Sequence, residues 1–376
     1  MDNITHSLFA LTVARTRLNK HGTAGTIALV LASNAPDVDI VATAGGAMSY
    51  LRWHRAVTHG PLGVIGLAAV TAALVWGFNK RRGRREAPAF LNLATLAIVG
   101  TFCHVLMDLP TSYGTRLLTP FDWHWYAADW MPIVDIYLMV ALGAGLYFGS
   151  RSADARGRNI VIVLTLMVAN YALRGGMHHR AIALAPRLFG QTMPPPCVNA
   201  VASASPIDRW PRSPAPVVPQ GRTRCLVELA AMPSFLSPFE WRVIAQMSNG
   251  YEMQDINVLS RRFLAAAQEP EVLWRLNSRA PNIWTPEAFR AAETVTGRTF
   301  LGFSRFPAVR TVRSREGDVT VRMIDVRFIT RPSLTSMPVN PPRGRGEPAG
   351  NAPPGFFSAT VRFDSSGQIV DEHLGP

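Results

Sequence analysis

Two histidines five residues apart, in His54-Arg55-Ala56-Val57-Thr58-His59, stand directly before an apolar run. Four further segments carry His or Asp where such a run begins or ends: His6, Asp37 with Asp39, His104 with Asp108, and Asp135. Imidazole nitrogen and carboxylate oxygen together suit a divalent cation, zinc first, with manganese and magnesium compatible. His104 and Asp108 lie four apart on an expected helix and so share one face. Asp37 and Asp39 flank Val38 after a proline, which makes a helix end or turn presenting two carboxylates. His54 and His59 precede a helix start at Pro61, and His6 lies near the chain start. The expected ligands are His6, Asp37, Asp39, His54, His59, His104 and Asp108, with Asp135, Arg55 and Thr58 around them.

A metal held there would acidify water and hold an oxyanion, the chemistry of phosphoester or ester hydrolysis. Asp37, Asp39 and His59 are the expected catalytic members, the carboxylates holding a water or acting as general base. No GxSxG elbow is present, so a serine hydrolase is disfavoured. Each residue alone has a simpler reading. His6 reads as an interfacial anchor, Asp37 and Asp39 as a helix cap, and His104 with Asp108 as a structural pair. Arg55 and Arg116 suit an anionic group or lipid phosphates, and His178 and His179 read first as headgroup contacts. The joint case is stronger, because ionisable groups near a membrane are costly unless paired, solvated or functional.

The elements that must position these residues are apolar segments at 4–18, 23–35, 61–79, 90–107, 133–149 and 159–173. A span needs about 20 helical residues, so the first two are short. Basic clusters at 15–20, 80–85 and 151–158 alternate with the His/Asp ends, and the positive-inside rule sends the clusters to the cytoplasm. The His/Asp ends then share the extracytoplasmic face, as does the C-terminal part. Trp123, Trp125, Tyr126 and Trp130 read as an interfacial belt.

The 376 residues are 48% hydrophobic and 17% charged, with apolar residues crowded into the first half and a net charge of +13. The basic residues are spread out, with no helix-turn-helix or zinc-finger pattern, so no nucleic-acid partner is expected. Three cysteines without CxxC spacing disfavour a thiolate zinc site; Cys197 and Cys225 could pair in an extracytoplasmic domain. No cleavable signal peptide is expected.

The expected fold is an α-helical polytopic membrane domain of four to six apolar helices over 1–185, a Pro-rich linker over 186–222, and a small α+β domain over 223–376. Strands are expected at 225–231, 239–247, 251–259, 308–314 and 319–329, with a last hairpin over 356–363 and 368–371, and helices at 261–276 and 286–296.

Met1-Asp2-x-x-Thr5-His6, Pro36-Asp37-Val38-Asp39, His54-Arg55-x-x-Thr58-His59-Gly60 and His104-x-x-x-Asp108-x-x-Thr111-x-Tyr113-Gly114-Thr115 together resemble the YdjM-type (LexA-regulated) inner-membrane metal-dependent hydrolases. Leu118-x-Pro120-Phe121 and Asp135 fit the same pattern, over about residues 1–180. Ser237-Pro238-Phe239-x-Trp241-Arg242 and Arg305-Phe306-Pro307 resemble the C-terminal part of longer members. The sequence departs from the pattern at Gly60, where a Ser is common. The His/Asp set is also remotely similar to that of zinc-dependent phospholipases C. These resemblances imply a multi-pass inner-membrane enzyme hydrolysing a phosphoester of a lipid or envelope component, with a membrane lipid or small molecule as substrate. The rival readings are a metal-ion or small-solute transporter and a structural envelope scaffold.

Overall fold

The computed structural model describes residues 1–82, 88–149, 153–189, 194–197, 207–211, 225–260, 278–329 and 357–375. Among the described residues, the main helices of the N-terminal region are α1 (Asn3–Ala14), α2 (Gly22–Ala32), α4 (Pro61–Arg81), α5 (Phe90–Asp108), α6 (Ile136–Phe148) and α7 (Ala153–Ala183). Between α2 and α4 the chain makes a 3-10 segment, Pro36–Gly45, the short helix α3 (Gly46–Trp53) and a 3-10 turn, Val57–His59. Pro61–Arg81, Phe90–Asp108 and Gly157–Phe189 are long and apolar enough to cross a membrane. Gly22–Ala32 with Pro36–Trp53, bent by 44°, is a fourth candidate if the pair counts as one broken or re-entrant span.

Small residues bring α2, α4 and α5 close. Ala24, Ala28 and Ala32 meet Ala68, Ala72, Val75, Leu93 and Ala97 in one buried cluster. A side chain at Gly100 would meet the Ala32 methyl at 2.9 Å and the Leu29 carbonyl at 3.0 Å. Such close backbone approach is how helices associate in lipid, where tails are as apolar as leucine.

Helix α7 has 31 residues, about 46 Å at 1.5 Å per residue, well beyond the ~30 Å hydrocarbon core. Its far end, with α8 (Ala185–Phe189), leaves the helical cluster and joins the C-terminal core. Ala181, Leu184, Ala185, Leu188 and Phe189 pack on Leu226, Leu229, Trp241 and Val243.

The C-terminal region is built mostly of antiparallel sheet. One four-stranded sheet has the order β3 (Leu226–Pro233), β4 (Glu240–Met247), β5 (Gly250–Asn257), β6 (Ser278–Pro281). The other runs β10 (Ile369–Leu374), β9 (Ser358–Phe363), β8 (Val319–Asp325), β7 (Pro307–Arg313). Helices α9 (Pro286–Ala292) and α10 (Val295–Phe303) lie between β6 and β7 in the chain. Asn249-Gly250 turns β4 into β5 with Met247 opposite Gly250.

The expected helix at 261–276 and the expected Pro/Gly-rich loop at 332–354 lie outside the described residues, as does most of the linker. One part of that linker is strand: β2 (Asp208–Trp210) pairs antiparallel with β1 (Trp125–Ala127) from the loop after α5. Cys197 and Cys225 form a disulfide, which ties residue 197 to the start of β3.

Candidate metal centre

Three segments bring four ligand atoms to a common point. Asp37 comes from the 3-10 segment, His59 from the turn before α4, and His104 and Asp108 from successive turns of α5. Their donor atoms all lie within 4.8 Å of one another. His104 Nε2 is 3.2 Å from His59 Nε2 and 3.5 Å from Asp37 Oδ1. Asp108 Oδ2 is 3.4 Å from both imidazole Nε2 atoms, and His59 Nε2 is 3.6 Å from Asp37 Oδ1. A tetrahedral ion with bonds of about 2.0–2.1 Å has ligand–ligand edges of about 3.3–3.4 Å. Five of the six edges here run from 3.2 to 3.6 Å.

Hydrogen bonding fixes which nitrogens carry protons. His104 Nδ1 lies 2.8 Å from the Ser33 carbonyl oxygen, which only accepts, so Nδ1 is the donor. Thr58 Oγ1 donates to Asp39 Oδ2 at 2.7 Å and accepts from His59 Nδ1 at 3.0 Å. Both Nε2 atoms are left with lone pairs, and these face each other and two carboxylate oxygens. A positive ion at the centre turns that repulsion into four attractive contacts, and the fixed outer nitrogens hold the rings ready for it. The residues present therefore fit a divalent cation with nitrogen and oxygen ligands.

Of the expected ligands, Asp39, His54 and His6 fall outside this group of four and, with Arg55 and Thr58, surround it. Asp39 accepts from the Arg55 backbone N–H at 2.7 Å and from His54 Nδ1 at 2.8 Å, besides Thr58. His54 stacks on Tyr50 at 4.6 Å and meets the Tyr113 ring edge-on at 5.6 Å. Burial pulls its imidazole below the ordinary value, against the opposing bond to Asp39. His6 is fully buried, stacks on His104 at 3.9 Å and sits 3.4 Å from Asp108 Oδ1. The Met1 nitrogen also lies against Asp108 Oδ1. Asp2 sets the first turn of α1 by accepting from the backbone of Ile4 and Thr5 and from the Thr5 hydroxyl, which fixes where His6 points.

Arg55 is buried, with φ at +52°, in the left-handed region rarely adopted by residues other than glycine. Its backbone N–H goes to Asp39, its carbonyl accepts from Arg116 at 3.1 Å, and its Nη2 pairs with Asp108 Oδ2 at 3.2 Å. Backbone and side chain thus over-determine the strained turn between His54 and His59. Asp135 stands with other partners: it caps α6 through the Leu138 N–H at 2.8 Å and pairs with Arg174 at 2.6 Å. His178 packs on Trp241.

Sequence patterns do not reveal three contributors. The Ser33 carbonyl is a backbone group without a signature. Tyr50 stands in no motif, and its hydroxyl meets that of Tyr113 at 3.2 Å. Thr119 matters through Gly60, where a Cβ would fall 2.0 Å from the Thr119 carbonyl oxygen, so this chain has no room for the commoner Ser.

Comparison with known proteins bears on the helical region that holds this cluster. Residues 1–181 match the family model described as YdjM inner membrane protein. A curated relative, the uncharacterized protein YfhP of Bacillus subtilis strain 168, is 27% identical over 115 residues, covering 31% of this chain. The match spans about a third, 33%, of that relative's own length. No solved structure matches the chain significantly. The helical region that carries Asp37, His59, His104 and Asp108 is thus the part of the chain, residues 1–181, that matches the YdjM inner membrane protein family.

Proposed function

We propose that this protein is a membrane-bound metal-dependent hydrolase acting on a phosphoester of a lipid or envelope component at the extracytoplasmic face. The observation that carries the reading is the convergence of two imidazole lone pairs and two carboxylate oxygens at 3.2–3.6 Å spacing. Asp37, His59, His104 and Asp108 would hold the cation, zinc first by its preference for such a set. When bound, the cation supplies an acidified water and a Lewis acid for a phosphoryl oxygen. Asp39 orients His59 through Thr58 and holds the Nδ1 proton of His54. The side chains of His54 and Asp37, 12% and 10% exposed, are the members in reach of solvent, so His54 is the group suited to exchange a proton there. Arg55 offsets the excess of carboxylate charge and fixes Asp108.

The site's position at helix ends favours hydrolysis over transport, which would need ionisable groups along a path through the membrane middle. The disulfide favours an oxidising compartment for the C-terminal region, hence the extracytoplasmic orientation. Metal analysis of the purified protein beside a His104→Ala/Asp108→Ala variant is the direct test. The expected result is a stoichiometric divalent metal in the parent, lost in the variant, with metal-dependent release of product from phospholipids or generic phosphodiesters. A parent protein that neither retains nor takes up metal overturns the proposal.

A further inference from the structure

The surroundings of the centre differ in character. Part of them is the C-terminal region. Arg55 lies 5.0 Å over the Tyr113 ring, and Tyr113 backs onto Phe303 at 5.4 Å and Phe357 at 6.3 Å. Arg327 Nη1 donates to the carbonyls of Ser112 and Tyr113 at 3.1 and 3.2 Å, which seals the same side. Layers of aromatic rings therefore separate the centre from the aqueous domain.

Along residues 37–58, the polar residues that face inward have exposed apolar neighbours in the chain. Val38 stands between Asp37 and Asp39, Ile40 follows Asp39, Trp53 precedes His54 and Val57 precedes Thr58, with 38% to 52% of each exposed. Trp123 meets Trp53 at 6.1 Å, and the exposed Arg52 lies over the Trp53 ring. Apolar side chains, two tryptophans and an arginine around a polar site make an unfavourable surface in water. At the headgroup level of a bilayer the same set is well solvated, the rings and guanidinium meeting phosphates and the aliphatic groups meeting lipid tails.

We infer that the centre is reached sideways from the membrane, across residues 36–45, and that its ligand is a phospholipid of the same leaflet. The phosphate enters between Asp37 and His54, the partly exposed members of the site, while the acyl chains stay in the bilayer. Charge complementarity supports this: the exposed Arg52 presents a guanidinium to an anionic headgroup. The chemical step rests on the hydrolase reading, but the lipid-facing surface does not.

The test separates the two. In the full chain with Cys103→Ser, an environment-sensitive fluorophore is attached at Val41→Cys or, as an aqueous reference, at Ser366→Cys. Val41 is 68% exposed beside the centre, and Ser366 lies in an exposed turn of the C-terminal region. The protein is reconstituted in phosphatidylethanolamine–phosphatidylglycerol vesicles. The expected result is quenching at position 41 by doxyl-labelled phospholipid with protection from iodide, and the reverse at position 366. Iodide access at 41 equal to that at 366 overturns the inference. In a second arm, Val41→Glu should slow turnover of vesicle phospholipid by about tenfold, because a carboxylate is driven into the apolar surface, and leave turnover of soluble bis(4-nitrophenyl) phosphate within about twofold. Equal loss on both substrates counts against approach from the bilayer. If the parent turns over neither substrate, the hydrolase reading falls and the quenching result alone decides the surface.

Discussion

Asp39 shows how little separates a candidate metal ligand from a residue placed to orient one. Two positions away, Asp37 points at the common centre, whereas Asp39 spends both oxygens on Arg55, Thr58 and His54. Replacing such an outer carboxylate typically weakens metal binding 10–100-fold without removing the site. Asp39→Asn should therefore lower zinc affinity by about 10–100-fold in chelator competition, with full stoichiometry at saturating metal. An unchanged affinity would remove Asp39 from that role. At this scale the sequence was partly legible. His104 and Asp108 could be paired because four-residue spacing on a helix is a local property. The different duties of Asp37 and Asp39, or of His59 and His54, depend on a few ångströms fixed by contacts 15 to 19 residues apart, such as Asp39 with His54 and with Thr58.

The elements meet at tight points that a residue-by-residue reading passes over. Gly60 is such a point, since it lets the start of α4 pass against Thr119, whose Oγ1 in turn donates to the Ala56 carbonyl at 2.9 Å. Gly60→Ser should cost about 1–3 kcal/mol as an overpacking change, read as a lower melting temperature in detergent, and should weaken metal retention with it. A stable, metal-competent Gly60→Ser protein would mean that the Thr119 turn yields freely. The helices themselves were legible because apolar runs ending in Arg or Lys are strong signals. Their lengths were less so: α1 and α6, at 12 and 13 residues, fall short of a full span. The pairing of Trp125–Ala127 with Asp208–Trp210 joins a loop to a stretch that composition marks as linker, and no local pattern announces it.

At the scale of the whole molecule, a buried ion cluster fastens the C-terminal region to the helical one. Arg305 donates to Asp129 at 2.5 Å and to Glu228 at 2.7 Å, and pairs with Asp208 at 2.8 Å. Burial pulls its guanidinium down, but the three carboxylates outweigh that and hold it above the ordinary value. Breaking a buried pair by removing one partner costs about 3–5 kcal/mol, because the other charges stay behind. Arg305→Ala should lose about that much stability and expose the chain at β2 to protease, and an unaltered digestion pattern would show that the cluster does not hold the regions together. Cys197 and Cys225 should resist maleimide until reduced in protein isolated from cells, while a reporter fused after residue 376 should be active on the extracytoplasmic side. Free thiols at both positions with a cytoplasmic reporter would reverse the orientation.

Helix α7 also has a mechanical consequence. Because one unbroken helix runs from the apolar region into the core around Trp241, it works as a drive shaft whose angular phase sets where the C-terminal region sits. Each residue added near its middle turns everything beyond by about 100° and advances it about 1.5 Å. One extra alanine would swing Phe303 and Arg327 off Tyr113. Four would nearly restore the heading but lift that aromatic cover by about 6 Å, opening the centre to water on the side that is now closed.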